Sequence, residues 1–190
     1  MKKIILASTS PRRRELLKQT GYNFEIMSPG YDEKISDSAF KYEVIEKIAE
    51  NKCISAILQV NEPAIIVSAD TVVIYDDLIL GKPKNFDDAL RMLTMLKGKT
   101  HKVVTAVCVF DLETGKKIIK SETSEVTFND IPEEKIKEYI FKFKPYDKAG
   151  SYGIQELPES FIKEIKGDYT NIVGLPVEML KNMLDEITNI

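Results

Sequence analysis

The chain has one histidine, two cysteines and no apolar run near the length of a bilayer-crossing helix. Each shortage excludes something. His101, beside Lys99 and Lys102 at a strand start, has no evident nucleophile partner, which argues against a serine-hydrolase triad. Cys53 and Cys108 lack metal-ligand spacing and read as small buried hydrophobes, the first in a helix and the second in a strand. The formal net charge of -3 argues against a protein built to wrap nucleic acid. Neither a GxGxxG nor a GxxxxGK[ST] phosphate loop is present, and there is no internal repeat or low-complexity tract. The opening "MKKIILASTSP" carries two lysines, but its apolar stretch stops at Ala7. It reads as a first strand instead of a secretion signal, so a cytoplasmic setting with no membrane partner is expected.

What is present is an ordinary globular balance: 43% hydrophobic and 30% charged residues across 190 positions. That is enough chain for one domain, 1–190, either undivided or with two lobes about a cleft. Ile4 to Ala7 reads as a strand, Ser10 as the cap of the next helix and Pro11 as its first residue. A short strand near Phe24 to Met27 leads to a polar loop with Tyr31, Asp32 and Glu33. Apolar residues at helical spacing mark Phe40 to Val60. The run "AIIVSADTVVIYDD" reads as a buried strand, followed by the turn "LILGKPKNF" and a helix from about Asp87 to Lys97. "KVVTAVCVFD" and "KKIIKSETSEVTF" flank "LETG" as a long hairpin. A helix capped by Asp130, with Pro132 in its first turn, and a last helix from Pro176 to Glu186 complete the order. Early alternation followed by adjacent strands predicts an α/β protein with a mixed β-sheet and flanking helices.

Two features stand out chemically. Asp70 interrupts a strand that otherwise demands burial, and a buried carboxylate requires a cation, a metal or hydrogen-bond donors. It is either a solvent-facing residue at a bulge or a catalytic or metal-binding group in a cleft. A hairpin would return Lys82 toward it. Glu33 could supply a second carboxylate, and two carboxylates can hold a divalent cation that bridges phosphate oxygens. The second feature is "LASTSPRRRELL", which places Arg12, Arg13 and Arg14 at the positive end of a helix. A bound phosphate would relieve that repulsion, accepting from backbone amides and guanidinium forks together. Ser8 and Ser10 could add hydroxyl contacts. Successive helical side chains point about 100° apart, so Arg12 and Arg13 are the better ligands and Arg14 faces water. In "DKAGSYGIQ", Lys148 either meets a phosphate or pairs with Asp147. Gln155 either reads a base edge or bonds backbone at a strand end.

Taken together, "LASTSPRRRELL", Asp32-Glu33, "SADTVV", "LGKP", "LKGKTHKVVTAV", "DKAGSYGIQ" and "GDYTNIVGLP" occur in the order found in the Maf family of nucleoside triphosphate pyrophosphatases, which this chain resembles over essentially its whole length. The resemblance implies an α/β, ITPase-like fold with two lobes around a nucleotide cleft, commonly as a homodimer. The implied reaction cuts a nucleoside triphosphate between its α- and β-phosphates with Mg²⁺ or Mn²⁺. It also implies Asp70 as proton acceptor and Arg12, Thr71 and Gln155 as residues of substrate choice. Ser8, Arg13, Glu33, Lys52 and Lys82 would line the polar pocket; the two-carboxylate reading above puts Glu33 and Asp70 at the metal. Threonine at position 71 resembles the branch acting on dTTP and UTP, as distinct from the 7-methyl-GTP branch with glutamine there. Glu156 departs from the glycine common after "GIQ", adding bulk and negative charge near the loop expected to read the base. The alternative expectation is a nucleotide-binding regulator of septum formation.

Overall fold

The computed structural model describes residues 2–31 and 40–188. In chain order these form β1 (Lys3–Ala7), α1 (Pro11–Lys18), β2 (Phe24–Met27), α2 (Tyr42–Ile57), β3 (Ala64–Tyr75), β4 (Leu78–Leu80) and α3 (Phe86–Leu96). There follow β5 (Thr100–Asp111), β6 (Lys117–Phe128), α4 (Glu133–Phe143), β7 (Ile162–Lys166), α5 (Tyr169–Val173) and α6 (Val177–Thr188). The strands make one mixed sheet of order β2-β1-β3-β5-β6-β7, with β4 paired to β3. β1 is parallel to both β2 and β3, and the other pairs are antiparallel.

Period-two alternation sorts each strand between two helical layers. Ile4 and Leu6 of β1, with Ile65, Val67 and Val73 of β3, pack under α1, α3, α4 and α6. Ile5 and Ala7, with Ile66, Val72 and Ile74, pack under α2. Both faces of β3 are covered, which is why its sequence is apolar almost throughout. The chain therefore leaves β1 for β2 over one face and reaches β3 over the other. In an open sheet, such a reversal leaves a crevice beyond the carboxyl ends of the strands on either side. Here those strands are β1 and β3. Leu6 pairs with Val67, so β3 continues past the end of β1 and carries Asp70 and Thr71 beyond it. On its other edge β5 still supports them, through the pairs Asp70–Ala106 and Thr71–Thr105.

Local chemistry follows the sequence at most element ends. Ser10 caps α1, its hydroxyl accepting from the Arg13 amide, and Pro11 takes the first helical position. The start of α4 differs from expectation. Pro132 stands at the cap, with no side-chain cap bond, and Asp130 pairs instead with Lys97 at 3.1 Å. Asp130 lies two residues before the cap, too early to meet the first free amides of the helix. Cys53 and Cys108 are buried free thiols, as small hydrophobes would be.

His101 is part of the core. It is 2% exposed, its Nε2 lies 2.7 Å from the Tyr152 hydroxyl, and it packs edge-on to Phe128 and Tyr152. Burial pushes its pKa down to about 3. The imidazole thus stays neutral in the fold while the unfolded chain's titrates near ~6.5. The unfolded state binds more protons below that value, so this stabilising contribution is complete above ~6.5 and is lost as pH falls toward the folded value. Urea unfolding should show the His101→Gln variant losing about 2 kcal/mol less stability than wild type between about pH 7.5 and pH 5. Equal losses in the two proteins would remove His101 as the source.

Candidate active site

Even-numbered residues of β3 face α2, and two of them are polar. Ser68 donates to the Ala49 carbonyl at 2.7 Å. Three residues further along the same helical face, Lys52 donates from Nζ to Asp70 Oδ1 at 2.6 Å and reaches the Ala69 carbonyl at 3.5 Å. The two side chains are only 5% and 4% exposed. Taking both ions out of water costs several kcal/mol each, and an apolar pair of similar volume often serves stability as well. A buried pair in a cleft is therefore a weak contributor to stability and a candidate for chemistry.

Thr71 has the opposite parity and faces α1. Arg13 donates from Nη2 to Thr71 Oγ1 at 3.0 Å and from Nε to the Gly174 carbonyl at 2.8 Å. Arg12 takes another direction, its Nη1 lying 3.4 Å from Asp147 Oδ2. Arg14 is exposed. The three arginines are thus separated as the helical rotation predicts.

The loop from Asp147 to Gln155 forms the facing wall. Lys148 is buried and pairs with Asp147 at 2.8 Å and with Glu156 at 3.3 Å. Burial would raise the Asp147 carboxyl, but the Lys148 hydrogen bond and the Lys148 and Arg12 charges outweigh it and hold the pKa below the usual carboxylate range. Of the two expectations for Lys148, pairing with Asp147 is observed. Glu156 turns toward Lys148, so its charge is paired with a lysine that lines the cavity. Gln155 lies exposed at the cavity edge, in a turn and not at a strand end.

These walls enclose about 1400 Å³, lined among others by Ser8, Arg12, Arg13, Lys52, Asp70, Thr71, Lys82 and Gln155. Small-molecule sites commonly occupy roughly 300–1,000 Å³, so a nucleotide has ample room. Ser8 is buried there and its Oγ accepts from the Ser10 amide at 3.2 Å, shaping the turn into α1. The β3–β4 hairpin returns the chain so that Leu80 pairs with Val73, bringing Lys82 back alongside Asp70's segment as expected. Glu33 lies outside the described residues, so its meeting with Asp70 does too. Among the described residues no group of three His, Cys, Asp or Glu could cage a metal.

The family model described as Maf-like protein matches residues 3–187. The chain belongs to the Maf family. A relative from Alkaliphilus oremlandii, named dTTP/UTP pyrophosphatase, is 45% identical over 177 residues, covering 93% of this chain and 92% of that protein. A Bacillus cereus protein of the same name is 44% identical over 186 residues, covering 98% and 96%. The structure of the Staphylococcus aureus Ham1 protein shares the fold, with a TM-score of 0.54, 13% identity, and coverage of 98% of this chain and 100% of that chain.

For this Maf chain the sequence assigned no role to Lys84, Arg91 and Gly174, which line the cavity, or to Thr105 and Asn171 behind it. One signal was available: Thr105 is a lone hydroxyl inside "VVTAVCV", much as Asp70 is a lone carboxylate. The Lys52–Asp70 pair gives a direct test. Lys52→Met should destabilise the protein by about 3 kcal/mol, because it leaves a buried charge without this cation. Adding Asp70→Asn should recover part of that loss in urea denaturation. A double variant as unstable as the sum of the single changes would refute energetic coupling.

Proposed function

We propose that this protein hydrolyses dTTP and UTP between the α- and β-phosphates, releasing nucleoside monophosphate and pyrophosphate. The observation that carries this reading is a buried carboxylate, Asp70, gripped by Lys52 at one side of a cavity whose mouth holds the N-terminus of α1 with Arg12 and Arg13. The names of the relatives supply the substrate class.

In the proposed reaction a water oxygen attacks the α-phosphorus while the bond to the oxygen bridging the β-phosphorus breaks. Asp70 accepts the water's proton, and the bridging oxygen leaves with pyrophosphate. Lys52 holds Oδ1 and so fixes how the carboxylate presents itself to the cavity. Arg12, Arg13 and Lys82 offset charge along the phosphate chain, with the α1 amides adding partial positive charge. Arg12 must exchange Asp147 for phosphate as substrate enters. Ser8 shapes the turn, and Thr71 and Gln155 bear on substrate choice.

A divalent cation fits this donor set. Mg²⁺ is commonly bound through one or two carboxylates, with water and substrate phosphate completing its shell, so it needs no protein cage. Asp70 would hold it together with Glu33. When bound, Mg²⁺ or Mn²⁺ would supply charge neutralisation on the phosphates and acidify a bound water. The protein would work as a homodimer, as the family resemblance implies, and in the cytoplasm, as the short apolar start suggests. A second copy is not needed to build the cavity described.

A product-resolved screen of triphosphates with Mg²⁺ or Mn²⁺ tests the reading. UTP and dTTP should yield pyrophosphate, and inorganic phosphate as first product would refute it. Asp70→Asn should lower kcat by roughly a hundredfold or more with the fold intact. Lys82→Ala should raise KM, and unchanged kinetics would remove Lys82 from the phosphate-binding group.

A further inference from the structure

The "GDYTNIVGLP" segment has no part in the chemistry described above, yet Ile172 to Gly174 line the cavity and Asn171 packs directly behind it. Asp168 caps α5 by accepting from the Thr170 amide at 2.7 Å. Asn171, fully buried, donates from Nδ2 to the Val103 carbonyl at 3.0 Å and to Ser124 Oγ at 2.9 Å, fastening α5 to β5 and β6. Gly174 ends the helix at a φ of 126°, a backbone conformation that L side chains rarely adopt. Its carbonyl accepts from Arg13 Nε at 2.8 Å.

The hydroxyls between α5 and Arg13 have a definable direction. Thr105 Oγ1 donates its single proton to the Asn171 carbonyl at 3.0 Å. In its 2.9 Å contact with Thr71 Oγ1 it must therefore accept. Thr71, having donated to Thr105, presents a lone pair to Arg13 Nη2 at 3.0 Å. The order of donation runs Arg13 to Thr71 to Thr105 to Asn171. The alternative acceptor for the Thr71 proton is the Gly174 carbonyl, but at 3.5 Å it is a much longer contact than the 2.9 Å to Thr105. Thr105 is fully buried, so its own hydroxyl has no access to water.

We infer that Thr105 is a positioning residue: through Thr71 it orients the Arg13 guanidinium for the substrate's phosphates, with the α5 carbonyls of Asn171 and Gly174 as the fixed anchor. This rests on the reading of Arg13 as a phosphate ligand. It also gives Thr71 a specific job, since its hydroxyl is occupied by Arg13 and Thr105 and influences substrate by steering an arginine.

The test is a double-mutant cycle with UTP. Thr105→Val keeps the shape of the side chain but removes the acceptor for Thr71. It should lower kcat/KM roughly tenfold in the wild-type background and less than about twofold beside Arg13→Ala, because the effect travels through Arg13. Thr105→Ser restores the hydroxyl and should restore most of the rate. Any loss in melting temperature from Thr105→Val should be similar in both backgrounds, which separates positioning from folding. Affinity for α,β-methylene-UTP, which resists this cleavage, follows the same cycle where turnover beside Arg13→Ala falls below detection. Equal factors in the two backgrounds, or no kinetic change in folded Thr105→Val, would overturn the inference while leaving the enzyme's function intact. Wild-type protein that neither cleaves nor binds these nucleotides would overturn both.

Discussion

A strand that outruns its neighbour is the constraint on which the site depends. β1 stops at Ala7 while β3 continues to Tyr75, so Asp70 and Thr71 occupy well-ordered backbone with one edge beyond β1. β5 pairs with both and holds their backbone in register. Because side chains alternate, consecutive residues of one strand serve opposite walls. Asp70 meets α2 and its lysine, and Thr71 meets α1 and its arginine. A register slip of one residue would exchange the two partners and destroy both contacts at once. Mounting the carboxylate on the central strand of a doubly covered sheet gives it a precision a loop would not.

The cost of the arrangement is electrostatic, and it is divided between two solutions. Inside, Asp70 and Lys52 compensate each other where water is nearly absent. At the rim, Arg12 meets Asp147, which in turn meets Lys148, and Lys148 meets Glu156. The Arg12–Asp147 pair is the exposed one, so an anion can displace that carboxylate at modest cost, whereas Lys148 is itself buried. The inner pair is not exchangeable on those terms. On the proposed reading, a cleft built this way keeps its carboxylate fixed while Arg12 stays open to competition by phosphate.

Much of this was legible because burial and charge conflict visibly in the sequence. A carboxylate inside "AIIVSADTVVIY" and arginines at a helix start are both unfavourable unless a partner is supplied, and both lie at the cavity. Most of the strand and helix order followed from periodicity, with the mixed sheet as expected, but β4 falls in a stretch read as a turn, and β7 and α5 were not assigned. Lys52 was different: a lysine on an amphipathic helix carries no sign of which face it occupies until the phase of α2 against β3 is known. The cap of α4 failed for a related reason, since a two-residue shift decides whether Asp130 meets helix amides or Lys97. Short-range spacing fixes what a residue can do, and long-range packing fixes what it meets.

The hydroxyl order behind Arg13 shows why threonines are harder to read than charges. A buried carboxylate needs an answer of several kcal/mol, whereas a hydroxyl is satisfied by almost any carbonyl for about 1 kcal/mol and leaves little mark on its surroundings. Thr105 faces Thr71 across a strand pair, an ordinary cross-strand contact in itself. Its meaning comes from the Asn171 carbonyl, which claims its proton and so dictates what Thr71 can offer to Arg13. Asn171 is in turn fixed by β5 and β6, far along the chain from α1. The orientation of an arginine near the start of the sequence is thereby decided close to its end.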